Sequence, residues 1–295
     1  MQVTLCLDVG GTEIKGAALG EEGALLGKLT HFPAHSQESA PFLLDHFTAI
    51  LRQLTPEDGS VSAVGLAFPG PFDYEKGICL IRGLKKYDAL YGMELGKELA
   101  LRLYLPRHPF FLNDVQGFAL GEMGFGAAQG AQKAMFVCIG TGCGSAFGWE
   151  GNLADASVPG VPPDGYLYPV PFLEGCIDDY ISRRGLKRLS QEILGEALEG
   201  KELAQRVQQG QEGARECFAR FGLRLRDALL PFLESYGPQV LCLGGQITRS
   251  GPLFLGPLQE ACHARNISLS VTADTSLRTI QGLYRWKTMH PEGLK

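Results

Sequence analysis

At 295 residues, with 45% hydrophobic and 20% charged side chains, the chain has an ordinary globular composition and is long enough for two α/β domains. A net charge of -5 argues against a general pull toward nucleic acid, and no apolar run approaches the ~18 residues that cross a bilayer. The eight cysteines are scattered with no C-x-x-C pair, and the start of the chain lacks a signal peptide's basic flank, so buried thiols in a cytoplasmic protein are expected.

In chain order, Val3 to Asp8, Gly16 to Leu19 and Ala24 to Phe32 read as consecutive strands, followed by a helix from about Glu38 to Leu54. Val61 to Phe68 is a buried strand, Asp73 to Leu90 is rich in loop residues, and Met93 to Leu103 has helical spacing. Pro109 to Leu112 forms a short strand ending at Asn113, and a helix runs from Asp114 toward Met123. The apolar run Met135 to Ile139 opens a second α/β region. Helices are expected there at about Leu173 to Arg183, Glu199 to Gln208 and Gly213 to Tyr236, then a strand at Val240 to Leu243 and a helix at about Ser276 to Trp286. This places a first lobe at 1–112 and a second at 113–275.

Three of these strands run into glycines. The first ends in Asp8-Val9-Gly10-Gly11-Thr12-Glu13-Ile14-Lys15. Paired glycines let backbone N–H groups approach an anion, Thr12 adds a hydroxyl, Lys15 adds positive charge, and Asp8 can hold Mg²⁺. The same turn is equally an ordinary tight hairpin. A second strand breaks into Gly140-Thr141-Gly142-Cys143-Gly144, and a third into Gly244-Gly245. Asn113-Asp114 lies between the first two, either as a carboxylate base with its polar neighbour or as an N-cap for the following helix.

Together with Gly65-Leu66-Ala67-Phe68-Pro69-Gly70-Pro71 and Gly121-Glu122, these segments resemble the ROK family of sugar kinases, over nearly the whole chain. The resemblance implies a two-lobed α/β fold of the actin-like ATPase (ribonuclease H-like) type, with the active site in the cleft between lobes. A terminal helix at about 276–290 would complete the first lobe. It further implies ATP and Mg²⁺ as cofactors, Asp8 holding Mg²⁺, and phosphates met by Gly10, Gly11, Thr12, Lys15, Thr141, Gly142 and Gly144. Gly244 and Gly245 would pass under the adenosine. Asp114 would be the general base, with Asn113, Gly70 and Glu174 on the sugar. The expected partners are a small sugar and ATP, with no nucleic acid or membrane; the resemblance also raises the expectation of a homodimer.

One departure from the family pattern is informative. The Gly-Glu-x-Gly-His segment and the Cys cluster that bind zinc in typical members are absent: between Gly151 and Leu173 there is neither His nor Cys. No zinc site is therefore expected, because four ligands define a structural zinc and Cys176 alone cannot supply them. Substrate choice is left open by the same loss. Tyr166 and Tyr168 would either line a reshaped pocket or stiffen a proline-rich loop. The residues point to a hexose-type kinase, with a catalytically silent sugar- or nucleotide-binding regulator as the alternative. A repressor of the same family would need a helix-turn-helix, for which the seven residues before Asp8 give no room.

Overall fold

The structure, a computed structural model, describes residues 1–291. The chain separates into two units, Met1–Phe125 with the segment from Ser276 onward, and Gly126–Thr275.

The first unit is built on β1 (Gln2–Val9), β2 (Glu13–Leu19), β3 (Thr30–Pro33), α1 (Ala40–Leu54), β4 (Ser60–Phe68), the short hairpin β5 (Phe72–Asp73) and β6 (Ile78–Cys79), α2 (Leu95–Leu103), β7 (Phe110–Asn113) and α3 (Asp114–Phe125). Its sheet has the order β3-β2-β1-β4-β7, antiparallel through β3, β2 and β1 and parallel through β1, β4 and β7. β1 is apolar almost without alternation, as expected of a central strand covered on both faces. Leu43, Phe47, Ile50 and Leu51 give α1 an apolar face at helical spacing, and they join Leu5, Leu7, Leu66, Phe68 and Tyr87 in one core.

The second unit contains β8 (Lys133–Ile139), β9 (Cys143–Trp149), β10 (Asn152–Ala154), the hairpin β11 (Pro171–Phe172) and β12 (Gly175–Cys176), α4 (Ile177–Tyr180), α5 (Arg183–Leu194), α6 (Gly200–Gln208), α7 (Glu212–Ser235), β13 (Val240–Gly244), α8 (Gly256–His263) and β14 (Ser268–Val271). The sheet order β10-β9-β8-β13-β14 repeats the first sheet's topology, with two antiparallel pairings followed by two parallel ones. Each unit thus presents the same strand-turn-strand junction, β1–β2 in one and β8–β9 in the other.

The last helix, α9 (Thr275–Met289), packs on the first unit: Lys287 Nζ donates to Thr4 Oγ1 at 3.1 Å and Ser62 Oγ at 3.3 Å. Where α9 crosses α3 the backbones touch. A Cβ on Gly121 would lie 1.8 Å from the Arg278 carbonyl oxygen, and one on Gly282 1.8 Å from that of Gly117. Glu122, almost fully buried, pairs with Arg278 at 3.3 Å. This crossing groups α3 with the first unit, so the division falls after Phe125, whereas the sequence pattern drew it at 112.

Other differences have local causes. The strand expected over Ala24 to Phe32 shortens to β3, because Gly23 and Gly27 adopt positive φ of 75° and 95° and turn the chain first. The helix expected from Leu173 to Arg183 is a hairpin followed by one helical turn. Ser182 then caps α5, its side chain accepting from Gly185 N–H. Among the described residues no helix is long and apolar enough to cross a membrane.

Candidate active site

The β1–β2 turn is organised by its carbonyl oxygens. Gly10 O accepts from Tyr87 Oη at 2.8 Å, Gly11 O from Ser36 Oγ at 2.6 Å, Thr12 O from Ala34 N–H at 3.0 Å, and Glu13 O from Gly10 N–H at 3.0 Å. With all four carbonyls tied back into the unit, the Gly11 and Thr12 N–H groups make no hydrogen bond among the described residues. Inward carbonyls and outward N–H groups are what a phosphate oxygen requires. The sequence motif is therefore a hairpin turn whose Gly11 and Thr12 N–H groups are left available to an acceptor.

Asp8 is half-buried on β1, directly opposite Lys15 on β2. Lys15 is already engaged, donating to Ser276 Oγ at 2.9 Å and lying 3.8 Å from Glu13 Oε2. Among the described residues no cluster of three or more His, Cys, Asp or Glu is placed to hold a metal ion. Mg²⁺ is compatible with that, because it commonly takes one or two carboxylates and fills its shell with water and phosphate oxygens. Asp8 at a strand end beside the glycine turn suits that role.

Asp114 opens α3 immediately after β7. Its Oδ1 accepts Val115 N–H at 2.9 Å, and Asn113 Oδ1 accepts the same N–H at 3.0 Å, so both residues do cap the helix. Capping occupies one carboxyl oxygen only. Asp114 Oδ2 makes no hydrogen bond among the described residues. Some of the residue reaches solvent, yet burial around the carboxyl pushes its pKa up, opposed by the Val115 N–H and by the charge of Lys86. Asn113 Nδ2 donates to Tyr74 Oη at 3.2 Å, and Tyr74 in turn donates to Phe68 O at 3.0 Å. A Cβ on Gly70 would lie 3.5 Å from Tyr74 Oη, so Gly70, Tyr74, Asn113 and Asp114 form one group.

Two residues absent from the motif reading join this unit's site. Tyr87, fully buried and at φ 56°, holds the glycine turn, and burial together with the Asp8 charge pushes its phenol pKa up. Lys86, beside it, lies against Gly11 and acts electrostatically on Asp114. Both fall in the stretch that sequence reads only as loop. The Lys85-Lys86 pair is the one signal available there, and spacing does not say which lysine points where.

The second unit carries its own glycine cluster. Gly140 N–H donates to Gly142 O at 2.9 Å, Gly140 O accepts Arg183 N–H at 2.9 Å, and Thr141 sits exposed at the tip of the β8–β9 turn. Gly144 lies on β9 opposite Cys138. Gly244 ends β13, and Gly245 follows at φ 93°, where a Cβ would stand 2.4 Å from Ile139 O. No side chain fits at that junction. Gly245 N–H donates to Thr275 Oγ1 at 2.9 Å. The structure thus joins the second and third glycine motifs.

Glu174 is exposed at the tip of the β11–β12 hairpin. The acid that reaches the second turn is Asp178, missed by motif reading. Its Oδ1 accepts Cys143 N–H at 2.6 Å, and its Oδ2 pairs with Arg184. Beside it, burial pushes the Cys143 thiol up to about 12, further raised by the Asp178 charge.

A sequence model of the ROK family matches residues 4–271. The chain is 26% identical over 284 residues to a protein named glucokinase from Thermotoga maritima, covering 86% of this chain and 85% of that one. It is 28% identical over 264 residues to an N-acetyl-D-glucosamine kinase from Photobacterium profundum, covering 84% and 85%. The fold superposes with a TM-score of 0.74 on a ROK family glucokinase from Streptomyces griseus crystallised with glucose and AMPPNP, at 20% identity and with 95% and 97% of the two chains covered. With two sheets of one repeated topology, a glycine turn in each and a family match across nearly its whole length, the chain belongs to the ROK family.

Proposed function

We propose that the protein is an ATP-dependent kinase of a hexose or related sugar, of the glucose, fructose or N-acetylhexosamine type, with Asp114 as general base. The observation carrying this reading is the half-used carboxylate of Asp114: Oδ1 is spent on Val115 N–H, Oδ2 makes no hydrogen bond to another described residue, and the neighbouring Asn113 is linked through Tyr74 to Gly70. Family membership and the kinase names of the relatives support it.

In this reading Asn113 and Tyr74 orient a sugar hydroxyl toward Asp114 Oδ2. The hydroxyl oxygen forms a bond to the γ-phosphorus as the bond from that phosphorus to ADP breaks, ADP leaving with the electron pair and the hydroxyl proton passing to Asp114 Oδ2. Gly11 and Thr12 N–H groups and the Thr12 hydroxyl meet phosphate oxygens; Thr141 and Gly142 serve the same purpose in the second unit, and Gly244-Gly245 gives adenosine a face free of side chains. Asp8 would hold Mg²⁺, which when bound neutralises charge on the phosphates. Glu174, exposed on its hairpin, is read as a further sugar contact. The eight scattered cysteines, with no C-x-x-C pair, suit a cytoplasmic setting.

The test is steady-state turnover with Mg·ATP and a panel of hexoses, fructose and N-acetylhexosamines. ADP release that requires a sugar, with a sugar phosphate formed in equal amount, supports the reading. Binding of sugar and nucleotide with no phosphorylated product favours a silent regulator.

A further inference from the structure

The segment from Arg82 to Leu90 is a surface loop held unusually firmly at its centre. Asp88 takes Gly83 N–H and Lys86 N–H, the latter at 3.0 Å. Tyr87 N–H donates to Ser36 O at 2.5 Å, and the buried Tyr87 ring sends its hydroxyl to Gly10 O at 2.8 Å. Ser36 closes the circle by donating to Gly11 O. Loop and glycine turn are therefore one rigid body, joined by three hydrogen bonds through Ser36 and Tyr87. The Lys86 backbone is thereby held next to the turn.

The Lys86 stem runs along the turn. A Cβ placed on Gly11 would meet Lys86 Cδ at 3.4 Å and Lys86 Cβ at 3.9 Å, so the alkyl chain crosses the face of the glycine whose N–H is free. Its charge is close enough to Asp114 to stabilise the carboxylate. The ammonium makes no hydrogen bond or ion pair among the described residues, although Glu13 and Asp88 lie on the elements it packs against. A half-buried cation with its stem against the glycine turn, an unused head and a charge felt at the Asp114 carboxylate suits a group carrying negative charge from the turn to that carboxylate.

We infer that Lys86 is a catalytic residue, its ammonium contacting the γ-phosphoryl group as that group passes from the glycine turn toward the hydroxyl held at Asp114. The inference rests on the reading of Asp114 as base. Lys86 forms no covalent bond. It offsets charge on the oxygens of the transferring phosphoryl and, before transfer, opposes the burial that pushes the Asp114 pKa up. Lys15 does not fill this role, because Ser276 and Glu13 already hold it.

The test compares the parent with Lys86→Met and Lys86→Gln by calorimetry, titrating Mg·AMPPNP and Mg·ADP without sugar. Circular dichroism confirms that at least one variant is folded, and Lys86→Arg serves as the conservative control. Loss of one charge-assisted contact should weaken Mg·AMPPNP about tenfold or more while leaving Mg·ADP unchanged, with Lys86→Arg retaining most of the parent's preference. In turnover, kcat should fall about 10²- to 10³-fold, the range seen when one preorganised donor to a transition-state oxyanion is removed. An AMPPNP-to-ADP preference that survives in Lys86→Met, or an unchanged kcat, overturns the inference. A parent that binds both nucleotides and discriminates through Lys86, yet phosphorylates no sugar, overturns the proposed function and leaves the phosphoryl contact standing. A parent that binds neither nucleotide overturns both.

Discussion

Asp114 caps its helix through Oδ1, and the proposed function gives Oδ2 a proton to accept; the two duties predict different outcomes for one substitution. Asn retains an N-capping oxygen for Val115 N–H, so Asp114→Asn should fold. General-base catalysis contributes about 10²- to 10⁴-fold, so turnover should fall by that factor with Mg·ATP affinity unchanged, checked by kinetics beside calorimetry. Stability should move the other way. The folded-state pKa of Asp114 is raised, so its protonated form contributes stability that is complete below the ordinary aspartate pKa and is lost as pH rises through the folded value. Asn removes that loss. Asp114→Asn should therefore melt higher than the parent near pH 8, with the gap closing toward pH 4; a variant that melts lower at pH 8 refutes the assignment of burial as the dominant cause. The acid limb of kcat/KM should lie above the usual aspartate range for the same reason and rise further in Lys86→Met.

Two element-level devices shape the first unit. The first is the crossing of α3 and α9, which lets Gly117, Gly121 and Gly282 bring the two backbones into contact and seats Asp114 at the start of a helix wedged against the sheet. Gly121→Ala inserts a methyl 1.8 Å from a backbone oxygen, which no rotamer relieves. Overpacking of this kind costs about 1–3 kcal/mol or more, so a fall of several degrees in Tm is expected by calorimetry. The second is the tether from Tyr87 to the glycine turn. Tyr87→Phe keeps the ring in the core and removes one hydrogen bond from the half-buried Gly10 O, a loss of about 0.5–1.5 kcal/mol. Because the tether also aims the turn's N–H groups, Mg·ATP affinity should weaken in the same variant, read by titration. Affinity equal to the parent's would show that the turn holds its shape without Tyr87.

For the molecule as a whole, nucleotide and metal should act at different levels. A ligand that binds only the native state raises stability by mass action, about 2.7 kcal/mol at a hundredfold excess over Kd, so Mg·ATP should raise Tm in a concentration-dependent way. EDTA should abolish turnover and leave the melt of the ligand-free protein where it was, with elemental analysis finding no stoichiometric zinc; one tightly held zinc per chain overturns this expectation. Much of the molecule was legible in the chain itself. The strand-to-glycine junctions at Gly10, Gly140 and Gly244, the helix after Asn113-Asp114 and the α/β alternation all follow from local pattern, because turn chemistry and apolar periodicity act over a few residues. Tertiary structure decided what depends on contacts across long sequence separations. It assigned α3 to the first unit, through glycines 161 positions apart at 121 and 282, and engaged Lys15 with Ser276. It brought Asp178 rather than Glu174 to the second turn, and laid Lys86 and Tyr87 on Gly10-Gly11 from a loop more than seventy residues away. No local rule reports which loop lysine meets which turn; packing around a common core settles that, and with it the charge that Asp114 faces.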